Sequence, residues 1–225
     1  MDGLLLFNKP IGWTSHDAVD FIRRRIGQKK VGHAGSLDPL ATGLLLMLLG
    51  RGTKRSQEFM ASDKEYAGTM TLGLATDTQD MEGRVLFEGD ASRIEEGQIE
   101  KIMKRFCGEQ LQVPPLFSAM RCQGKKLYEW SRRGVFVEPA PKKIIVRQFH
   151  LFHFFPPEVH FSVACSKGTY VRALCDQFGR ELGCGATLSS LVRTKVGRFS
   201  LADALCEGEI GRLSLKEIEK RLVSA

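Results

Sequence analysis

The order of the predicted helices and strands indicates an α+β fold with a largely antiparallel sheet. Residues 144–155 and 159–165 are rich in β-branched and aromatic side chains, and the two prolines between them favour a hairpin. Apolar residues at helical spacing mark amphipathic helices at 99–106 and 171–182. Because helices and strands do not alternate in a βαβ rhythm, a doubly wound parallel sheet is disfavoured.

The N-terminal part of the chain contains clear local signals. The apolar run Gly3–Asn8 predicts a short buried strand that ends at a Lys-Pro pair. Thr14 and Asp17 have the spacing of a capping box, and the apolar residues after them recur on one helical face. Lys29 and Lys30 follow in the next loop, where they form either a solvated surface or one that binds phosphates.

A polar, glycine-containing stretch leads into Asp38-Pro39 and then into an apolar run at 44–49. Pro39 fixes its own φ and lacks a backbone donor, so Asp38 is biased out of the helical region and lies at an element boundary. We expect the apolar run to form a buried helix that holds the polar loop in a fixed place. Asp38 then either caps this helix or presents a catalytic carboxylate at the rim of a rigid scaffold, and spacing does not choose between the two.

The remaining elements are each predicted from a local pattern. They are a strand at 64–72, a turn at Gln123-Gly124, a short helix at 127–133, a strand at 188–192 and a last helix opened by Ser214 and Glu217. No repeat or Gly/Ser-rich linker divides the chain, whose 225 residues are long for one domain and short for two.

Composition excludes several classes of protein. A formal net charge of +7 favours a polyanionic partner. Six cysteines without a CxxC pair, and no signal peptide, predict reduced thiols and a cytoplasmic protein. The longest apolar run is far shorter than a membrane span. Residues 50–54 lack the spacing of a phosphate-binding P-loop, and the histidines of the 144–165 hairpin are poorly placed to share a metal.

Five segments carry a resemblance to a known family. They are GHAGSLDPLATGLL at 32–45 and four others, FNKPIGWTSHDAV at 7–19 and the segments 64–83, 112–134 and 165–199. In this order they resemble the motifs of the TruB family of tRNA pseudouridine synthases, with Asp38 at the catalytic aspartate. The resemblance covers residues 3–206.

The resemblance implies the pseudouridine synthase fold, a mixed central sheet flanked by helices with a cleft across it. Residues 1–206 are then the catalytic domain, and residues 207–225 a short helical extension without a full PUA-type RNA-binding domain. The implied activity is isomerisation of uridine 55 in the T loop of tRNA to pseudouridine. This rearrangement requires no redox cofactor and no metal, so we expect neither.

Three residues form the catalytic set that the resemblance implies. Asp38 can attack the sugar, attack the base or accept a ribose proton, and the sequence leaves these routes open. Arg172 matches the family arginine that pairs with the aspartate, since a guanidinium can hold a carboxylate by two hydrogen bonds. Tyr66 matches the tyrosine that stacks on the target base. Without the resemblance, Arg172 would be an ordinary surface arginine and Tyr66 a core aromatic.

Four further residues are expected to bind or support the substrate. His33 matches a histidine that accommodates flipped nucleotides, and Leu191 matches the apolar residue beside the base. Lys9 belongs to the KP motif that supports the catalytic loop from behind, and Lys64 precedes Tyr66 in its motif. The candidate phosphate contacts are Lys29, Lys30, Lys125, Lys126, Arg132, Arg133, Lys142 and Lys143.

The expected partner is the T-arm stem-loop of tRNA, whose target base must be extruded to be reached. We expect no membrane and no obligatory protein partner, with the chain acting as a monomer. One rival function is an RNA chaperone that refolds tRNA with the same cleft; a more distant one is a subunit of a guide-RNA particle. The intact set of Asp38, Arg172 and Tyr66 favours the enzyme.

Overall fold

The structure is a computed structural model that describes residues 1–118, 120–131, 133–135 and 137–223. The strands are β1 (Gly3–Lys9), β2 (Val31–Ala34), β3 (Ala41–Leu49), β4 (Lys64–Leu72), β5 (Leu74–Thr76), β6 (Val85–Glu88), β7 (Gly108–Gln112), β8 (Arg121–Cys122), β9 (Lys125–Lys126), β10 (Lys142–Phe155), β11 (Glu158–Cys165), β12 (Ala186–Val196) and β13 (Phe199–Ser200). The α-helices are α1 (Ser15–Ile26), α2 (Ser56–Met60), α3 (Glu96–Phe106), α4 (Leu127–Ser131), α5 (Val171–Leu182), α6 (Glu207–Arg212) and α7 (Leu215–Lys220).

The chain divides into two compact units. Unit 1 comprises Met1–Ala67 and Leu191–Ala225, and unit 2 comprises Gly68–Ser190. Strands β4 and β12 each contribute residues to both units.

The centre of unit 1 is β3, which is paired along both of its edges. β1 runs antiparallel to one edge, from Gly3 opposite Leu49 to Lys9 opposite Gly43. On the other edge, β2 pairs antiparallel with the end of β3, and β12 pairs parallel with its beginning. The loop from β2 to β3 carries Asp38, so its ends are fixed by the middle of the sheet. One apolar cluster in the core of this unit comprises Leu4, Leu6, Ala34, Leu44, Leu46, Leu48, Phe59, Val196 and Phe199.

The apolar run at 44–49 is a strand, and the predicted helix is wrong. All six residues are buried. A strand that is paired on both edges and covered on both faces has no solvent-facing side, so its sequence does not alternate. Such a run cannot be distinguished from a buried helix by periodicity. The alternative in which Asp38 caps a following helix is wrong for the same reason, because Asp38 precedes a strand.

Unit 2 is built on the antiparallel hairpin of β10 and β11, with β7 on the other edge of β10. Helix α3 packs against β10 and α5. Between them lies a cluster of phenylalanines whose ring centroids are 5.4–6.2 Å apart, formed by Phe106, Phe149, Phe161 and Phe178. This cluster anchors α5, the helix that carries Arg172.

The predicted fold class is confirmed, because the structure is α+β with a mixed sheet flanked by helices. The parallel pairing of β12 with β3 makes the sheet mixed, while β1, β2, β7, β10 and β11 form antiparallel pairs. The capping box of Thr14 and Asp17 opens α1 as predicted. The cleft across the sheet and the domain bounds 1–206 and 207–225 stay predictions. Among the described residues, no helix has the length and apolar character to cross a membrane.

Candidate active site

The loop of residues 35–39, here called the Asp38 loop, is held by its backbone. The carbonyls of Gly35 and Ser36 accept hydrogen bonds from the guanidinium of Arg193, at 3.0 and 3.2 Å. Leu37 is buried, and the hydroxyl of Ser15 both accepts from its N–H at 2.9 Å and donates to its carbonyl at 3.2 Å. The first half of the loop is thus held by two residues that lie far away in sequence.

The second half of the loop is held by main-chain donors. The carbonyl of Asp38 accepts from the N–H of Ala41 at 3.0 Å, and the carbonyl of Pro39 accepts from the N–H of Gly12 at 2.9 Å. All five carbonyls of the loop therefore accept a hydrogen bond. The residue Asp38 itself is exposed. An exposed carboxylate on a fixed backbone is suited to act on a bound substrate, since positioning before the reaction lowers the barrier.

Arg193 contacts the Asp38 loop, and sequence reasoning missed this residue. Its side chain is only 1% exposed, and its Nε donates to the carbonyl of Leu44 at 2.7 Å in addition to the two bonds to the Asp38 loop. The available signal was its position two residues after Leu191, inside a segment that resembles a family motif. The hydrogen-bond partners of Arg193 lie about 150 residues away in sequence, so no local pattern predicts them.

Tyr66 and Leu191 both lie in unit 1 and are both 8% exposed. Tyr66 is on β4, and Leu191 is on the neighbouring strand β12, where it pairs with Ala41 of β3. The apolar residue is therefore adjacent to the start of the strand that follows the Asp38 loop. This placement is compatible with a role beside a bound base, but the stacking role of Tyr66 stays a prediction.

His33 lies at the end of β2, just before the Asp38 loop. Burial, followed by the positive charges of His16 and Arg193, lowers the pKa of His33 below its ordinary value. The two imidazole rings are 6.1 Å apart, and the buried Nδ1 of His33 has no hydrogen-bond partner among the described residues. Because the neutral ring is favoured, His33 is better suited to pack against a ligand than to bind a phosphate.

Lys9 and Lys64 are buried, at 0% and 7% exposure. The ammonium group of Lys9 donates to the carbonyls of Pro10 and Trp13, at 2.9 and 2.6 Å. That of Lys64 donates to the carbonyls of residues 60 and 62, at 2.7 and 2.6 Å. These contacts hold backbone segments that flank the predicted site, and direct contact of either lysine with substrate stays a prediction.

Arg172 lies in unit 2, near the start of α5, and is buried. Its guanidinium donates to the carbonyls of Thr78 and Phe117, at 2.8 and 3.0 Å. It also forms an ion pair with Asp80 at 3.3 Å, in which both side chains are about one-twentieth exposed. A buried ion pair of this kind fixes the plane of the guanidinium, because its partners are themselves held.

Asp80 is the second residue that sequence reasoning missed. Its carboxylate accepts from the hydroxyl of Thr78 at 2.6 Å and from the N–H of Glu82 at 3.1 Å. Asp80 lies in the polar stretch 76–80, inside the 64–83 motif. Two aspartates in a short polar stretch were the available signal. The structure shows that Asp80 faces the buried arginine.

The predicted residues belong to two different units. Unit 1 contains Asp38, Tyr66, His33, Leu191, Lys9 and Lys64, and unit 2 contains Arg172. The pairing of Arg172 with Asp38 stays a prediction from the motif. Of the candidate phosphate contacts, Lys29, Lys30, Arg133, Lys142 and Lys143 are exposed, and Arg132 lies outside the described residues. In the described part of the chain, no group of His, Cys, Asp or Glu is placed to hold a metal.

Comparison with known proteins identifies the family. The model of the TruB family pseudouridylate synthase (N terminal domain) matches residues 23–171. The chain is 46% identical over 223 residues to tRNA pseudouridine synthase B of Opitutus terrae, which covers 99% of this chain and 92% of that protein. It is 45% identical over 224 residues to tRNA pseudouridine synthase B of Protochlamydia amoebophila, covering 99% and 84%.

Solved structures agree with this assignment. A chain of a Cbf5–Nop10–Gar1 complex is similar with a TM-score of 0.72 and 30% identity, over 91% of this chain and 52% of that one. A chain of an archaeal box H/ACA Nop10–Cbf5 complex is similar with a TM-score of 0.69 and 26% identity, over 93% and 52%. This chain therefore spans about half the length of those two chains. On these sequence and structural grounds, the chain belongs to the TruB family of pseudouridylate synthases.

Proposed function

We propose that this protein isomerises uridine 55 in the T loop of tRNA to pseudouridine, with Asp38 as the catalytic carboxylate. Relatives named tRNA pseudouridine synthase B, similar over nearly the whole chain, support tRNA as the substrate. The observation that carries the role of Asp38 is its exposed side chain on a loop whose five carbonyls all accept hydrogen bonds.

The reaction is a rearrangement within one nucleotide. The bond between N1 of uracil and C1′ of ribose breaks, the base turns, a bond forms between C5 and C1′, and the C5 proton is lost as N1 gains one. Atoms and electrons balance without an oxidant or reductant. A carboxylate can serve as nucleophile at the sugar or base or as acceptor of a ribose proton, and each route requires a fixed approach to the nucleotide.

Tyr66 and Leu191 are the proposed walls of the base site. A tyrosine ring can stack on uracil, and an apolar side chain beside it excludes water that would compete at the sugar. Both side chains are largely buried, so their positions are fixed by packing before RNA binds. His33, with its neutral ring favoured, is the proposed contact for a neighbouring extruded nucleotide.

Arg172 is the proposed cation of the site, and its role rests on the motif match. Its guanidinium is held by two carbonyls and by Asp80, which restricts the directions in which its remaining donor capacity points. A guanidinium fixed in this way can orient a carboxylate or a phosphate oxygen, whereas a lysine in its place would offer a single rotating group.

The RNA is proposed to bind through its phosphates and through its extruded bases. The net charge of +7 and the exposed Lys29, Lys30, Lys142 and Lys143 suit a phosphate backbone. Target uridines in a folded loop must leave the stack before a side chain can reach C1′ or C6. We also propose that the protein acts in the cytoplasm and as a monomer. Sedimentation of the protein–tRNA complex would test the second point, because it measures how many protein chains bind one tRNA.

The proposed function is tested with two tRNA transcripts that differ at one nucleotide. The native transcript should gain one pseudouridine, mapped to position 55 by carbodiimide modification and primer extension. A transcript with cytidine at position 55 should gain none. Pseudouridine at another position would correct the site specificity, and its absence from the native transcript would reject the function.

A further inference from the structure

Arg193 is both buried and charged, a combination that lowers stability unless the charge is well hydrogen-bonded. It is one of the largest fully buried side chains of the described chain, and it carries a permanent charge. Burying an ion costs several kcal/mol unless it is well hydrogen-bonded, and an apolar residue of similar volume often gives equal or better stability. Stability alone therefore does not explain a guanidinium at this position.

The bonds of Arg193 join the two sides of the Asp38 loop. Nη1 and Nη2 donate to the carbonyls of Ser36 and Gly35, before Asp38. Nε donates at 2.7 Å to the carbonyl of Leu44 on β3, after Asp38. A planar group with donors in fixed directions thus holds both ends of the segment that carries the carboxylate.

The backbone of Arg193 is fixed as tightly as its side chain. It pairs with Gly43 in the parallel register of β12 and β3. Gly43 has a φ of 98°, and a Cβ there would lie 2.5 Å from the carbonyl oxygen of Arg193. Only glycine allows this close approach and this backbone conformation. The backbone of Arg193, from which the guanidinium extends, therefore has a fixed position against β3.

We propose that Arg193 is a positioning residue that sets the direction of the Asp38 carboxylate through the loop backbone. It does not touch the nucleotide. Its loss leaves Asp38 present and RNA able to bind, but the carboxylate samples directions that do not lead to reaction. This inference rests on the proposed function, because it assigns Asp38 the catalytic role.

The test compares Arg193→Met and Arg193→Lys with a matched control, Arg25→Met. Arg25 is a half-buried arginine of unit 1 that donates to the carbonyls of Ile210 and Leu213. Misplacement of a catalytic group by about 1 Å costs on the order of a hundredfold in rate. We expect Arg193→Met to lose about that factor in the single-turnover rate at saturating tRNA. Arg193→Lys should lose less, because its ammonium group can still donate to some of these carbonyls. The dissociation constant for tRNA should change less than about threefold in all three variants.

A second measurement does not depend on activity. Amide hydrogen exchange followed by mass spectrometry should show faster exchange for residues 36–44 in Arg193→Met at a temperature where the variant is folded, while α1 and the 142–165 hairpin stay protected. Arg25→Met should leave both the saturated rate and the exchange of residues 36–44 unchanged.

The outcomes separate the two claims. Wild-type protein that does not convert tRNA rejects the proposed function, while the exchange data still decide whether Arg193 holds the loop. An Arg193→Met variant with wild-type saturated rate, or with unchanged exchange at 36–44, overturns the positioning role. Equal rate losses in Arg193→Met and Arg25→Met would show that the loss comes from general destabilisation, and this result would also overturn the positioning role of Arg193.

Discussion

Asp38 and Arg172 are fixed in opposite ways. The side chain of Asp38 is exposed, and the structure holds it through the backbone of residues 35–39, whose carbonyls all accept hydrogen bonds. Arg172 is buried and is held through its own guanidinium, by two carbonyls and by Asp80. The hydrogen bonds that fix the Asp38 loop thus go to its backbone, whereas those that fix Arg172 go to its side chain.

The largest effect is expected from the exposed carboxylate itself. Asp38→Asn keeps the size and the loop but removes the charged carboxylate that all three routes require, so isomerisation should be abolished. RNA affinity should stay within about tenfold, since about 1.4 kcal/mol or less of binding depends on that charge. Single-turnover conversion and filter binding of the same tRNA measure the two quantities. Normal turnover by Asp38→Asn would remove the role assigned here to Asp38, whereas lost binding would indicate a mainly RNA-binding role.

The next effect tests Arg172, which is held through its side chain. Arg172→Lys keeps a positive charge but cannot reach Thr78, Phe117 and Asp80 with one planar group, so the rate should fall by about a hundredfold. The control is Arg180→Lys on the same helix, whose side chain is 75% exposed and pairs with Asp176. Arg180→Lys should change the rate less than about threefold. Similar small losses in both variants would show that the held guanidinium of Arg172 has no special role.

A smaller effect is expected from Ser15, which binds the backbone of the Asp38 loop. Ser15→Ala removes both hydrogen bonds to Leu37 and leaves a buried N–H without that acceptor, at a cost of about 1–3 kcal/mol in the free energy of unfolding. Because Arg193, Ala41 and Gly12 still hold the loop, the saturated rate should fall by only about fivefold.

The matched control for Ser15→Ala is Ser200→Ala, whose hydroxyl accepts from the N–H of Ala202 away from the Asp38 loop. Urea denaturation and single-turnover kinetics apply to both variants. A rate loss in Ser200→Ala equal to that in Ser15→Ala would mean that the loop bonds are not special. No loss of stability in Ser15→Ala would contradict the hydrogen bonds to Leu37.

The smallest effect concerns pH and His33. Burial lowers the pKa of His33 in the folded state, so the unfolded chain binds its proton more tightly. The stability that neutral His33 contributes is complete above a pH of about 6.5 and is lost as the pH falls through the folded-state pKa. His33→Gln should therefore show a flatter decline in the free energy of unfolding between about pH 7.5 and 5.

NMR titration of the His33 ring tests directly whether burial lowers its pKa. His16→Gln removes a neighbouring positive charge and should raise the pKa of His33 part of the way toward its ordinary value, with burial still lowering it. A ring of His33 that titrates with an ordinary pKa in the wild type would contradict the burial seen in the structure.

Much of the fold was predictable because its signals are local. The strand β4, the helix α5 and the hairpin of β10 and β11 follow from periodicity and turn residues. β3 was predicted as a helix because a fully covered strand has no alternation to reveal it. Periodicity does not identify a strand such as β3, because burial of both faces removes the alternation of apolar and polar residues.

The predicted site residues came from motif resemblance, while the residues that hold them could not be read from pattern. Arg193 and Ser15 act on the Asp38 loop across 157 and 22 residues of sequence separation. Asp80 lies in a short polar stretch, yet it pairs with Arg172 from across 92 residues of chain. Such contacts exist only once the chain is folded, so they leave no local pattern in the sequence.

The most direct test of the central claim uses a T-arm hairpin carrying uridine 55 labelled with tritium at C5. Formation of the bond from C5 to C1′ expels that hydrogen, so every conversion releases one tritium to water. We expect near-complete release from the hairpin at low salt. The apparent affinity should fall steeply as salt rises, and saturating RNA should restore the rate. No release from the hairpin or from whole tRNA would contradict the proposed function, and release from whole tRNA alone would show that recognition extends beyond the T arm.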